Sequence, residues 1–153
     1  MGGNLLIVHG GGPTAVINAS LYGAIRQAQE SPRVDRVLAA IGGTGGLLKE
    51  ALRDVTDLPD GELRGLLSSP ASAIGTSRGA LEAPEYEAMV PILEKHNIRY
   101  VLMNGGNGTM DTCGKLYRRC KEKGIAVIGI PKTIDNDLAV TDHSPGFGSA
   151  ARY

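Results

Sequence analysis

Residues 129–142 read GIPKTIDNDLAVTD and gather a cation, a hydroxyl and two carboxylates: Lys132, Thr133, Asp135 and Asp137, with the amide Asn136 between the acids. An Asp beside a substrate hydroxyl can take its proton as a general base. Phosphoryl transfer is accelerated mostly by positioning and charge stabilisation, which a nearby Lys supplies. If the backbone is extended here, Thr133, Asp135 and Asp137 project to one side while Ile134 and Asn136 project to the other. The plain alternative is a solvated turn whose Asp and Asn side chains bond only the backbone.

Glycine clusters supply the complementary chemistry. GGGPTAVINAS (10–20) carries neither the full Walker pattern nor a clean dinucleotide fingerprint. Its glycines would let backbone N–H groups approach a phosphate at a helix N-terminus, although a tight strand-to-helix turn uses glycine equally well. In NGGNGTMD (104–111), Gly105, Gly106 and Gly108 leave the backbone open to a ligand while Asn107 or Asp111 offers oxygen atoms. Asn107 reads either as a metal ligand or as a helix N-cap. Arg78, between the glycines of IGTSRGA, is a surface residue or reaches to an anion. His9, His96 and His143 share no nucleophile or ligand spacing and receive no catalytic role.

Short apolar runs place these loops. NLLIVH (4–9), RVLAAI (36–41), RYVLMN (99–104) and IAVIGI (125–130) read as buried strands. Ile17, Leu21, Ala24, Ile25 and Ala28 recur at helical spacing after Thr14, until Ser31-Pro32 stops them. Pro84, in a first turn, starts a second helix with Tyr86, Met89, Val90 and Leu93 as its apolar stripe. Residues 109–123 form a third, with Met110, Cys113, Leu116, Tyr117 and Cys120 on one side and Gly124 as its stop. Between 43 and 83 the signal weakens to two short helices, GGLLKEAL and DGELRGLLSS. Alternating strands and helices predict an α/β fold, a three-layer αβα arrangement around a mainly parallel, Rossmann-like sheet with right-handed crossovers. Ligands of such folds sit at the carboxyl ends of the strands, so HGGG, IGGTGG, NGGNG and IPKTIDND could converge on one crevice.

A chain of 153 residues suffices for one domain with a real core. Its 16 basic and 16 acidic residues give no whole-molecule field for nucleic acid or an anionic membrane, so any anion is bound locally. No apolar stretch approaches the roughly 18 residues of a membrane span. Cys113 and Cys120, seven apart on one helix, lie about 10 Å from each other, too far for a disulfide. They read as buried free thiols of a reducing cytoplasm.

Taken in order, GGPTAVINAS, GTSRGA, GGNGTMDT, PKTIDNDL and TDHSPGFGSAARY resemble the 6-phosphofructokinase family along the whole chain. The resemblance implies phosphoryl transfer to the 1-hydroxyl of fructose 6-phosphate in glycolysis, giving fructose 1,6-bisphosphate, with Mg2+ and either ATP or pyrophosphate. By that likeness Asp135 is the general base, Asp137 supports the catalytic and metal arrangement, and Thr133 binds the sugar phosphate. Gly12, Arg78, Gly106, Asn107, Gly108 and Thr109 would form the donor site. Asn107 stands where many members carry the Asp associated with magnesium, and a neutral amide holds a divalent ion less strongly.

Two positions bear on the donor and point in opposite directions. Lys132 matches the pyrophosphate-type motif, whereas Gly108 leaves open a space that an Asp occupies in pyrophosphate-dependent members. GGPTAVINAS and MDT also resemble the pyrophosphate branch, which is favoured here, with ATP left open. Family catalytic chains are substantially longer, so residues 1–153 are expected to be a truncated amino-terminal donor-binding domain with an incomplete acceptor site. The intact protein is expected to be a homo-oligomer without nucleic-acid or membrane partners. The rivals are a non-catalytic nucleotide- or phosphate-binding module and a dinucleotide-binding oxidoreductase. The latter is disfavoured by the lack of GxGxxG at the first turn and of an acid closing the second strand.

Overall fold

The computed structural model describes residues 2–145 and 147–153. Strand β1 (Gly3–His9) is buried along its whole length, as its continuous apolar run requires of a strand covered on both faces. It lies at the centre of a five-stranded sheet, flanked by β2 (Val34–Ala40) and β4 (Ile98–Gly105). The edges are β3 (Leu52–Asp54), next to β2, and β5 (Ala126–Pro131), next to β4. β1, β2, β4 and β5 are parallel, with Ile7 opposite Ala39 and Leu102, and Leu102 opposite Ile128.

β3 is antiparallel to β2 and was not expected from the sequence. Three residues are too few to show a strand period. Their pairing is fixed by the Arg36 Nε–H donating to Asp54 (2.9 Å) and the Thr56 N–H donating to the same carboxylate (2.9 Å). The Thr56 hydroxyl, with Arg36 as a further contributor, holds the Asp54 carboxyl down at about 2.

Helices cover both faces, giving the three layers. On one side α1 (Ala15–Gln29) seats Leu21, Ile25 and Ala28 against Leu5, Ile7, Val37 and Ala39, and α3 (Asp60–Gly65) adds Leu63. On the other, α2 (Gly43–Leu48), α4 (Ala83–Lys95) and α5 (Asn107–Cys120) pack on Leu6, Val8, Leu38, Val101 and Met103. All four stripe residues of α4 are buried, and its start is fixed by Pro84 and by the Glu82 N–H donating to Glu85 Oε2 (2.9 Å). In α5, Cys113, Leu116 and Cys120 face the core, but Tyr117 is exposed on the flank of the stripe. Gly124 ends that segment in the left-handed region, as the sequence implied. Both cysteines are free and buried, and burial pushes their thiols up, that of Cys120 to about 11. A short α6 (Phe147–Arg152) closes the chain. Among the described residues no helix is long and apolar enough to cross a membrane.

Candidate active site

The loops after the parallel strands meet at one end of the sheet, around a crevice of about 470 Å³. Close approach of two strand ends comes first. Thr109, in the first turn of α5, is buried with its hydroxyl wedged between Gly10 and Gly105. A Cβ at Gly105 would lie 2.7 Å from both the Gly10 carbonyl oxygen and Thr109 Cβ, so glycine is required where β1 and β4 end.

The segment carrying Arg78 then docks on these ends. The Gly11 N–H donates to the Ser77 carbonyl (3.3 Å), and the Ser77 hydroxyl lies 2.8 Å from Thr44 Oγ1 while accepting from the Thr44 N–H (3.1 Å). Neither Ser77 nor Thr44 stands out in the sequence. Their only signal is that each is a small hydroxyl residue in a glycine-rich loop.

Lys132 enters from β5. Its N–H donates to the Gly105 carbonyl (2.9 Å), its side chain is buried, and its ammonium donates to the Gly12 carbonyl. The Arg78 guanidinium lies beside the same glycine, where a Cβ would come 3.1 Å from Nη2. Burial first, and then the Arg78 charge, lower the Lys132 pKa, while the Asp135 carboxylate acts in the opposite sense. Among the described residues no carboxylate forms an ion pair with Arg78 or Lys132. Two cations without a carboxylate partner among the described residues, over a glycine-lined cleft, are what a polyanion needs.

Gly12, Arg78, Gly106, Gly108, Thr109 and Lys132, read from dispersed motifs, all line this crevice. Gly108 has nothing within 4 Å of where a Cβ would sit. Asn107 is the first residue of α5, and Gly106 occupies the cap position, so the N-cap reading of Asn107 does not hold. Its side chain instead donates to Asp137 Oδ2 (2.7 Å), joining the ends of β4 and β5. The other candidate oxygen donor, Asp111, pairs with Lys115 one turn on (2.6 Å).

Thr133, Asp135 and Asp137 do not line the crevice and do not form an alternating extended face. The chain bends at Ile134 and Asp135, and Asn136 adopts φ +56°, a left-handed conformation that Asn tolerates better than most residues. The Asp135 N–H donates to Thr133 Oγ1 (3.0 Å), and Asn136 Oδ1 accepts from the Ser144 N–H (2.7 Å). Local turn bonding through Thr133 and Asn136 therefore sets the loop and leaves Asp135 and Asp137 exposed to solvent; the plain alternative holds for Asn136 but not for Asp137, which accepts from the Asn107 side chain. Chemically, the arrangement offers two anion-binding cations, an open backbone cradle, and two exposed carboxylates at its rim.

Comparison with known proteins identifies the family to which the chain belongs. The family described as phosphofructokinase matches residues 4–153. The chain is 44% identical to a pyrophosphate–fructose 6-phosphate 1-phosphotransferase of Xanthomonas campestris, over 99% of this chain and 37% of that protein. An ATP-dependent 6-phosphofructokinase of Amycolatopsis methanolica is 37% identical over 94% of the chain and 31% of its own length. The crystal structure of a pyrophosphate-dependent phosphofructokinase from Marinobacter aquaeolei superposes with a TM-score of 0.88 at 39% identity, covering 99% of this chain and 38% of that one. The chain thus spans less than two fifths of the length of either of these two curated relatives.

Proposed function

Since the chain belongs to the phosphofructokinase family, we propose that it is the donor-binding portion, with the catalytic loop, of a 6-phosphofructokinase. The enzyme transfers a phosphoryl group from pyrophosphate, or from ATP, to the 1-hydroxyl of fructose 6-phosphate. The observation that carries this reading is the meeting of Lys132 and Arg78 at Gly12 in a glycine-lined crevice, beside a loop bearing two exposed carboxylates. Donor phosphates occupy the cleft against Gly12, Arg78 and Gly106 to Thr109. Asp135 accepts the proton of the sugar 1-hydroxyl as its oxygen bonds to the terminal phosphorus. The bond to the bridging oxygen breaks, and phosphate or ADP leaves. Lys132 offsets the charge on the phosphoryl group in flight, and Thr133 contacts the sugar phosphate.

Asn107 and Asp137 fit a magnesium ion. The Asn107 amide nitrogen donates to Asp137 Oδ2 (2.7 Å), which holds the two side chains together and leaves Asn107 Oδ1 and Asp137 Oδ1 as the hard oxygens a cation would take, and among the described residues there is no cluster of three or more His, Cys, Asp or Glu that could hold a metal. That suits Mg2+, which takes one or two protein oxygens and completes its shell with water and substrate phosphates. When bound, the ion would neutralise charge on the donor phosphates.

The remaining length of the relatives would complete the acceptor pocket, so the 153 residues alone are expected to bind donor without turnover. Cys113 and Cys120, free and buried, suit a cytoplasmic enzyme, which would act as a homo-oligomer when intact. The test is a rate assay of the full-length protein with fructose 6-phosphate and Mg2+, run in parallel with pyrophosphate and with ATP. Turnover with pyrophosphate ahead of ATP is expected, and turnover with neither would overturn the reading.

A further inference from the structure

Residues 69–77 contain no helix or strand, yet they end at Arg78, whose guanidinium must be held over Gly12 for the donor site to work. What fixes them is a set of buried polar side chains that donor and acceptor chemistry leaves unused. His9, at the end of β1, is fully buried, with Nδ1 2.8 Å from Ser72 Oγ. The Ser72 hydroxyl in turn donates to the Gly75 carbonyl (3.1 Å). A serine has one proton, so both contacts are satisfied when His9 carries its hydrogen on Nδ1 and donates it to Ser72. The other ring nitrogen, Nε2, is then a bare acceptor, and it is indeed buried without a partner among the described residues.

Asn18 on α1, also fully buried, holds the same segment from the other side. Its Nδ2 donates to the Ser69 carbonyl (3.1 Å) and its Oδ1 accepts from the Ala73 N–H (2.8 Å). The Ile74 carbonyl accepts from the Gly42 N–H (2.8 Å), and Ser77 docks on Gly11 and Thr44. Each tie joins an irregular segment to a more rigid part of the fold through a hydrogen bond partly shielded from water, so each restricts the segment.

We propose that His9 and Asn18 are positioning residues of the donor site. Through Ser72 and Ala73 they lock residues 69–77 onto β1 and α1, and so fix the Arg78 guanidinium against the donor phosphates. The inference rests on the reading of the crevice as a phosphoryl-donor site. It goes beyond that reading in giving the buried imidazole, which has no catalytic spacing, a place in donor affinity.

The test uses the full-length protein. His9→Leu removes the bond to Ser72 and should raise the KM for the donor roughly tenfold, about the loss of one hydrogen bond to a charged group, with the KM for fructose 6-phosphate unchanged. His9→Asn places an N–H near the position of Nδ1 and should restore most of that loss. In an Arg78→Ala background, His9→Leu should add nothing further to the donor KM. A fall in kcat alone, with donor KM unchanged, or full additivity with Arg78→Ala, would show a merely structural role and overturn the proposal. If the wild type turns over neither donor, the phosphofructokinase reading fails. The inference is then decided by pyrophosphate titration and by hydrogen exchange at Ala73 and Gly75. Faster exchange with weaker pyrophosphate binding in His9→Leu supports it, and unchanged exchange or binding refutes it.

Discussion

Protonation of His9 should be a measurable drain on stability in mild acid. The ring is fully buried, its one hydrogen-bond partner is Ser72, and burial alone lowers its pKa from 6.5 to about 4. Because the folded-state value is depressed, the unfolded chain binds more protons than the folded one between those limits. Stability is therefore complete above pH 6.5, falls as pH drops toward 4, and levels off below it. A gap of 2.5 units at about 1.36 kcal/mol each is worth about 3 kcal/mol at the acid end. Urea unfolding of wild type and His9→Asn between pH 7.5 and 4 should isolate this, since Asn keeps a donor for Ser72 and does not titrate. Asp54, held at about 2, lies below the window and cancels in the difference along with the other carboxylates. As pH falls across this range the wild type should lose about 3 kcal/mol relative to His9→Asn. Parallel curves, or a folded-state His9 imidazole resonance titrating near 6.5, would refute the reasoning. With three histidines in the chain, the assignment is tractable.

The other expectations concern the site itself. Asp135→Asn in the full-length enzyme should remove most turnover, on the order of 10²-fold or more, while calorimetry finds donor binding largely intact; a near-normal rate would sink the base assignment. Lys132→Gly should slow the pyrophosphate reaction more than any ATP reaction, and equal losses with both donors would count against a donor-specific role. Gly108→Asp should weaken ATP binding by placing a carboxylate in space that is empty within 4 Å, so an unaltered nucleotide affinity would contradict the gate. Gly105→Ala should destabilise the fold by about 1–3 kcal/mol in chemical denaturation, since its methyl group would meet the Gly10 carbonyl and Thr109 at 2.7 Å.

Sequence pattern disclosed most of the fold because buried parallel strands and amphipathic helices write their periods directly. All four expected strands and the three longer helices are present, and their carboxyl-end loops converge as the strand-end rule requires. What was illegible had no period to show. β3 is held by Arg36 and Thr56 at three residues, and the Tyr117 side chain leaves the α5 stripe because a helix face drifts relative to its sheet. Within the site, residue type identified Lys132, Arg78 and Gly12 but not their contact, since they are distant in sequence. The alternation expected across 133–137 failed because the chain bends at Ile134 and Asp135 and Asn136 takes a positive φ. His9 was passed over because a histidine is sought by its spacing to other chemical groups, whereas this one works through a serine 63 residues away.

The apparent conflict between Lys132 and Gly108 over the donor becomes a matter of position. Lys132 and Arg78 crowd one end of the cleft at Gly12, with burial and mutual repulsion both disfavouring the Lys132 ammonium until an anion arrives. That relief is greatest for a donor whose whole charge sits on two adjacent phosphates, as in pyrophosphate, and smaller for ATP, where part of the charge lies on the α-phosphate beyond them. Gly108 lines the same crevice, and the space around the position of its missing Cβ is open. The cations therefore set how strongly a diphosphate unit is held, and Gly108 sets only whether an extension of it is tolerated. On the proposed reading, a chain with both residues favours pyrophosphate without excluding ATP, and Leu81, Tyr86 and Met103 are the apolar side chains along the crevice against which a nucleoside would lie.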